Sequence, residues 1–234
     1  MRPGAKVLQS LPLLADLSAK DLASLDVAAD LVRFGPDEAL FRAGDRLSEL
    51  NYLLVGQIGA TCPQSGENDA FVDVVLPVRP LCLPAVLLGL PAPVGAYTLT
   101  AGRLITLPAY HLQEMIGRSP GLARSFLDGA LQEAHEQALD IRSLKLQSSS
   151  QRLAAYLLGL IDDPVAEPAR FVLPLRKDLL AAIIGCTKEQ LSRAFTALRP
   201  IGVVTQRRTV IARDVPALRA FAAATGWRRT GTRT

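Results

Sequence analysis

The stretch Lys177-Asp178-Leu179-Leu180-Ala181-Ala182-Ile183-Ile184-Gly185-Cys186-Thr187-Lys188-Glu189-Gln190-Leu191-Ser192-Arg193-Ala194-Phe195-Thr196-Ala197-Leu198 reads as two short helices around a tight turn. The first, 177–184, stops at Gly185, a residue able to take the left-handed conformation of a helix C-cap. Thr187 opens the second, and with Gln190 it makes a T-x-x-Q capping box, in which each side chain satisfies an orphan backbone N–H. Helix, three-residue turn with Gly, helix is the helix-turn-helix layout. On the second helix Leu191, Phe195 and Leu198 face one way, into a core. Lys188, Glu189, Ser192 and Arg193 face the other, as a helix lying in a DNA major groove requires. Arg193 can donate two hydrogen bonds to guanine, Glu189 can accept from the cytosine amino group, and Ser192 can contact a base; Thr187 and Lys188 suit phosphates. The alternative is a solvated helical hairpin.

The flanks extend the pattern. After Gly202, the β-runs Val203-Val204 and Thr209-Val210-Ile211 enclose Gln206-Arg207-Arg208, a hairpin wing whose Arg207 and Arg208 would meet the phosphate backbone. Upstream, Phe171-Val172-Leu173-Pro174-Leu175 is strand-like, and Gln151–Ile161 is a helix with Leu153, Leu157, Leu158 and Ile161 as its buried stripe, stopped at Asp162-Asp163-Pro164. Ser148-Ser149-Ser150 reads as a hinge. Before it, residues 122–146 carry apolar side chains in steps of four and three at Leu127, Leu131, Ala134, Ala138 and Ile141, the seam of a coiled coil. Two alanines allow close approach of a second helix, and Glu133, Glu136, Gln137 and Asp140 take the wet faces; an amphipathic helix packed on its own domain is the alternative.

Charge separates along the chain. Residues 1–141 hold ten Lys and Arg against sixteen Asp and Glu, a net −6, while residues 142–234 hold sixteen against six, a net +10. A basic C-terminal third on an acidic body is the footprint of a nucleic-acid-binding domain joined to something with other work to do. A solvated basic surface is the plain alternative.

The 234 residues suit two domains, and 49% hydrophobic with 21% charged residues is a globular composition. The longest uncharged apolar stretch, Leu81 to Leu99, contains Pro84, Pro91, Pro93, Gly89 and Gly95 and is unsuited to a membrane helix. The first residues lack the apolar core of a secretory signal, so a cytoplasmic protein without membrane partners is expected. Cys62, Cys82 and Cys186 are scattered and odd in number, which builds neither a disulfide framework nor an iron–sulfur site. No nucleophile–base pair, carboxylate dyad or phosphate loop has plausible spacing, so an enzyme is not expected.

Residues 11–31 carry apolar positions at Leu14, Leu17, Leu22, Leu25 and Ala29, with a fresh helix start at Ser18, and predict short helices. From Val32 to Leu107 the β-runs Tyr52-Leu53-Leu54-Val55, Phe71–Leu76 and Tyr97-Thr98-Leu99 alternate with Gly, Pro, Asn and Asp clusters, predicting a compact β-roll. Gly35, Gly44 and Gly56 are expected to supply positive-φ corners.

The chain resembles the Crp/Fnr superfamily of bacterial transcription regulators. The resemblance rests on Phe34 to Asp45 with Tyr52 to Gly56, on the long helix, and most specifically on Gly185 to Arg193 with its E-x-x-S-R pattern. It implies an α+β fold: an N-terminal β-roll (a cyclic-nucleotide-binding-like jelly roll) at 1–119, a dimerisation helix at 120–148 and a C-terminal winged helix-turn-helix domain at 149–234. It further implies a homodimer on a double-stranded palindrome with TTGA-like half-sites, and RNA polymerase as a partner. Phe171–Leu175 and Leu191-Ser192-Arg193 look most like the branch regulating dissimilatory nitrate respiration, whose members are thought to sense nitric oxide through haem.

The effector departs from the commonest pattern. Residues 81–96, which correspond to the cassette of cyclic-nucleotide-binding members, hold no carboxylate and no arginine, so cyclic AMP is not expected. An apolar pocket around Cys82, Pro84, Leu87 and Leu88 could take haem, with axial ligands from His111, His135, Cys82, Met115 or the chain terminus. Each has a plain alternative as a packed or solvated side chain. Cys186, at the entrance to the second helix, is a candidate redox switch with a thiol pKa lowered by the helix N-terminus, or else a small buried turn residue.

Overall fold

The computed structural model describes residues 1–64, 69–161 and 168–223. Contacts divide the chain into two compact units, residues 1–136 and 137–234.

The first unit opens with α1 (Ala5–Gln9), a 3-10 turn at Pro12–Leu14 and α2 (Ala19–Ala28), which starts at Ser18, whose hydroxyl accepts from the Asp21 N–H. Then come β1 (Asp30–Phe34), β2 (Ala39–Phe41), β3 (Glu49–Val55), β4 (Ile58–Cys62), β5 (Ala70–Val75), β6 (Arg79–Pro80), the short α3 (Leu83–Leu88), β7 (Gly95–Thr98), β8 (Gly102–Pro108) and α4 (Ala109–Arg118). The strands form two antiparallel four-stranded sheets, ordered β1-β8-β3-β6 and β2-β7-β4-β5. Phe34, Leu53 and Leu104 of the first share one buried cluster with Phe41, Ile58 and Ala96 of the second, so the two sheets face each other.

The alternation of a strand explains how the first sheet is covered on both sides. Leu104 of β8 joins the inter-sheet cluster, whereas Ile105 and Leu107 join Leu50 and Tyr52 in a second core with Leu8, Leu22, Leu25 and Leu112 of the helices. Gly44 (φ 91°) and Gly56 (φ 106°) make positive-φ corners as expected. Gly35 does not: Asp37 takes the positive φ (63°), and Gly35 instead donates its N–H to Glu38 Oε1 at 3.0 Å.

The helix α5 runs Pro120–Leu146, and the division between the units falls within it. Glu133 and Glu136 of α5 are not on a wet face: both are half-buried, and Glu136 pairs with Arg79 at 3.0 Å.

In the second unit α6 (Ser149–Gly159) follows α5 after a break at Gln147 and Ser148. The expected serine hinge is a helix start, because Ser148 Oγ accepts from the Gln151 N–H and the Gln151 side chain accepts from the Ser148 N–H. The stop expected at Asp162-Asp163-Pro164 lies outside the described residues. Next come β9 (Ala169–Val172), α7 (Lys177–Ile184), α8 (Lys188–Leu198), a 3-10 turn at Arg199–Ile201, β10 (Val203–Gln206), β11 (Thr209–Ala212) and α9 (Val215–Ala223). The strands form an antiparallel sheet ordered β10-β11-β9. Leu153 and Leu157, Leu180 and Ile184, Leu191 and Leu198, Val210 and Leu218 bring α6, α7, α8, β11 and α9 into one core.

Candidate nucleic-acid interface

The turn between α7 and α8 is built as the sequence predicts. Gly185 is left-handed (φ 66°, ψ 49°), and the N–H groups of Gly185 and Cys186 donate to the carbonyls of Ala182 and Ala181. The helix α8 then starts on a closed box: the Gln190 N–H donates to Thr187 Oγ1 at 3.2 Å and the Thr187 N–H to Gln190 Oε1 at 2.9 Å. Burial of Leu191, Ala194, Phe195 and Leu198 fixes the roll of α8 about its axis. It leaves Lys188, Glu189, Ser192 and Arg193 exposed on one stripe.

The stripe is chemically ready for a ligand. Among the described residues, Lys188 and Arg193 have no ion-pair partner. The carboxyl of Glu189 is held below the usual range by its own backbone N–H and by the Thr187 hydroxyl, with Lys188 and Arg193 adding to the effect. It is therefore an ionised acceptor beside two free donors.

The wing divides its two arginines between two tasks. Arg207 sits at the hairpin tip with φ 55° and is exposed. Arg208 instead donates from Nη2 (2.9 Å) and Nε (3.3 Å) to the Leu173 carbonyl, while the Leu173 N–H donates to the Arg208 carbonyl at 2.8 Å. Arg208 thus ties the hairpin to the segment after β9, a role that the count of basic residues in the sequence did not reveal.

Between α8 and the wing lies a notch of about 100 Å³ edged by Ser192, Thr196, Thr205 and the cations Lys177, Arg199 and Arg207. Lys177, Arg199 and Thr205 went unnoticed in the sequence because they come from the start of α7, the 3-10 turn and β10. A ring of cations and hydroxyls around a concavity suits a phosphate oxygen.

Residues 151–221 match the family model of the Crp-like helix-turn-helix domain. This part of the chain is a Crp-like helix-turn-helix domain. The chain is 32% identical over 114 residues to a "Probable transcriptional activator" of Rhizobium leguminosarum bv. viciae, and spans about half the length of that relative (47% of each chain). It is 24% identical over 210 residues to the transcriptional activator protein FnrA of Stutzerimonas stutzeri, covering 84% of this chain and 82% of that one. A solved transcriptional regulator of the CRP/FNR family from Thermus thermophilus aligns over 84% of this chain and 100% of its own, at 22% identity and a TM-score of 0.65. The fold is Crp-like: an antiparallel roll of the cyclic-nucleotide-binding type, a long helix and a helix-turn-helix domain. The named relatives are transcription regulators.

Within the Crp-like domain, Cys186 departs from the redox expectation. Its thiol pKa is raised, because half-burial against the domain core outweighs the nearby Arg152 guanidinium. Cys186 precedes the capping residue Thr187, so it packs rather than caps.

On the roll, Cys82 is left-handed (φ 50°) at the start of α3. Burial pushes its thiol up to about 11, with the Glu133 carboxylate adding to the rise and a hydrogen bond from the Val94 backbone opposing it. Pro84 and Leu88 are exposed, and half-buried Leu87 uses its carbonyl to accept from Gln113 Nε2 at 2.8 Å. His111 Nε2 is 3.2 Å from Ser24 Oγ, Met115 is buried in the helical core, and His135 is exposed on α5. Each haem-ligand candidate is thus engaged elsewhere, packed, or turned to solvent, and these residues do not fit a haem. Among the described residues no helix is long and apolar enough to cross a membrane.

Proposed function

We propose that the protein is a homodimeric, cytoplasmic transcription regulator of the Crp/Fnr type that reads a double-stranded palindrome with TTGA-like half-sites. The observation that carries this reading is the exposed stripe Lys188, Glu189, Ser192 and Arg193 on a helix whose start is capped and whose back is buried. Glu189, Ser192 and Arg193 read bases, while Thr187, Lys188 and Arg207, with Lys177 and Arg199 of the notch, hold phosphates.

Pairing through α5 is supported by its exposed seam. Leu127, Leu131 and Ile141 are 57%, 59% and 52% exposed, with exposed Ala134 and Ala138 between them. Three large aliphatic side chains open to water along one line favour a second helix, whose packing would contribute roughly 1.5–3 kcal/mol for each. Two-fold pairing places the half-sites about one helical turn apart. RNA polymerase contact belongs to the same proposal.

The regulatory signal we propose is not a cyclic nucleotide. Residues 81–96 carry no charge, and the neighbouring cations Arg79 and Arg46 are already engaged by Glu136 and by the Gly89 carbonyl. A cyclic phosphate there would lack a charge partner. The nitrate-respiration likeness of Phe171–Leu175 and Leu191-Ser192-Arg193 remains part of the proposal as an operator preference, without a step through haem. A second reading, favoured by the engaged Arg79, is a regulator that needs no effector and is set by its abundance or by Cys186 oxidation. Fluorescence anisotropy of the purified chain on a TTGA palindrome against a scrambled duplex tests the reading. Preference for the palindrome without any added ligand favours the second form, and equal affinity for both duplexes overturns base reading altogether.

A further inference from the structure

The first turn of α6 contains Arg152, a cation at the end of a helix whose dipole repels it. Its placement is explained by what it faces. Nε donates to the Ile184 carbonyl at 2.7 Å, Nη2 to the Gly185 carbonyl at 3.1 Å, and Nη1 to the Gln147 carbonyl. Ile184 and Gly185 end α7, and Gln147 immediately follows α5, so one planar group joins the carbonyl ends of two helices. Burial lowers the Arg152 pKa, with Cys186 opposing the fall, and the guanidinium stays charged as arginine does in proteins.

Two further contacts make this a joint rather than a single bond. Leu144 of α5 lies so close to Gly185 that a β-carbon there would overlap its Cδ2. Gln147 is 5% exposed and its Oε1 accepts from Ser143 Oγ at 2.7 Å, while its Nε2 has no partner among the described residues. The Gln147 side chain thus bonds back onto α5 through Ser143, while its buried, unpaired Nε2 is a cost carried by the present arrangement.

We infer that Arg152 is the positioning residue that fixes α8 relative to the end of α5, and that it thereby determines which half-site spacing the dimer accepts. The inference rests on the proposed dimer and palindrome. Ala138 and Ile141 of the seam belong to the same part of α5 as Leu144, just before Gln147, in the same compact unit as α8. If α5 pairs with its copy, each α8 is held at a set offset from the two-fold axis through Arg152. Loss of the fork leaves the α7–α8 box and core intact, so each α8 still binds its half-site, while its offset from the end of α5 loses the Arg152 tie and is held less tightly, by the Leu144 contact and the packing of α6.

The test uses the full chain and a series of TTGA palindromes whose spacer varies one base pair at a time, with a single half-site duplex as reference. The wild type is expected to peak at one spacing and to fall at least about tenfold when one base pair is added or removed, since that step rotates one site by about a tenth of a turn. Arg152→Gln is expected to flatten the peak to within about threefold while keeping wild-type affinity for the single half-site. Arg152→Lys, with one ammonium in place of a fork, is expected to lie between. A peak as sharp as wild type in either folded variant overturns the inference, as does equal loss on the half-site and on every palindrome. If Arg152→Gln does not fold, the Arg152→Lys profile decides. A wild-type chain without any peak overturns the palindrome reading itself, a different result from a peak that survives substitution.

Discussion

Leu144 occupies the space that a β-carbon on Gly185 would need, so the turn that aims α8 is closed by a side chain of α5. Gly185 is constrained by its φ of 66°, and Leu144 must move its Cδ2 for any side chain there. Gly185→Ala should destabilise the C-terminal unit by roughly 1–3 kcal/mol, from positive-φ strain, since the half-exposed Leu144 can turn its Cδ2 aside. A thermal denaturation curve checks this, and an unchanged Tm contradicts it.

Arg193→Ala should cost roughly 1–3 kcal/mol on a TTGA palindrome and relax the preference at one base position. Binding to a panel of single-base variants measures it. An equal loss on all sequences would mean that Arg193 contacts only phosphate.

The wing arginines should separate. Arg207→Ala should leave Tm unchanged and reduce the slope of log affinity against log salt by about 1, the signature of one lost phosphate contact. Arg208→Ala should instead lower Tm, because the Leu173 carbonyl loses both its donors. Salt titrations and melting curves on the pair decide the assignment.

Leu131→Asp places a charge in the middle of the exposed seam of α5 and should convert the proposed dimer to monomer, visible in sedimentation velocity. Palindrome affinity should then fall to that of a single half-site. A seam that serves only within the chain would leave the sedimentation coefficient unchanged.

Glu133 has its pKa raised, mainly by burial, with Arg79 opposing and Glu136 reinforcing the rise. A raised carboxyl pKa means that the folded state binds the proton more tightly than the unfolded one. The favourable contribution is full below the ordinary glutamate range and is lost as pH rises through the folded value. Glu133→Gln should therefore stabilise the first unit at neutral pH and have little effect in acid. Denaturant midpoints at about pH 4 and about pH 8 test the sign.

The helix-turn-helix was legible because its signals are local. Gly185 as a left-handed cap and the Thr187–Gln190 box act over three or four residues, so the bounds of α7 and the start of α8 follow from side-chain chemistry alone. The same logic was present at Ser148-Ser149-Ser150-Gln151, where three serines suggested a hinge; the S-x-x-Q box makes Ser148 the cap of α6. Asp37 in place of Gly35 at the first corner of the roll shows the limit of reading glycine alone, since aspartate also tolerates positive φ.

Other roles depended on distant partners. Arg207 and Arg208 are neighbours of identical chemistry, and only the Leu173 carbonyl, thirty-five positions away from Arg208, separates the phosphate candidate from the structural tie. Cys186 was expected to have a lowered pKa from its place near a helix start, but desolvation by the core prevails. Glu133 and Glu136 looked solvated on a helical wheel, yet one face of α5 meets Arg79.

The sequence by itself determined the helix-turn-helix, the wing, the roll class with three of its strands, the long helix with its seam and the polar stripe on α8, because caps, turns and hydrophobic periods are set by residues within a few positions of one another. Only the tertiary structure decided that Lys177, Arg199 and Thr205 edge one notch with Arg207, that Arg208 is spent on Leu173, and that Arg152 gathers the ends of α5 and α7. Those roles are conferred by carbonyls and side chains brought together across long stretches of chain, where local propensity carries no information about which groups will meet.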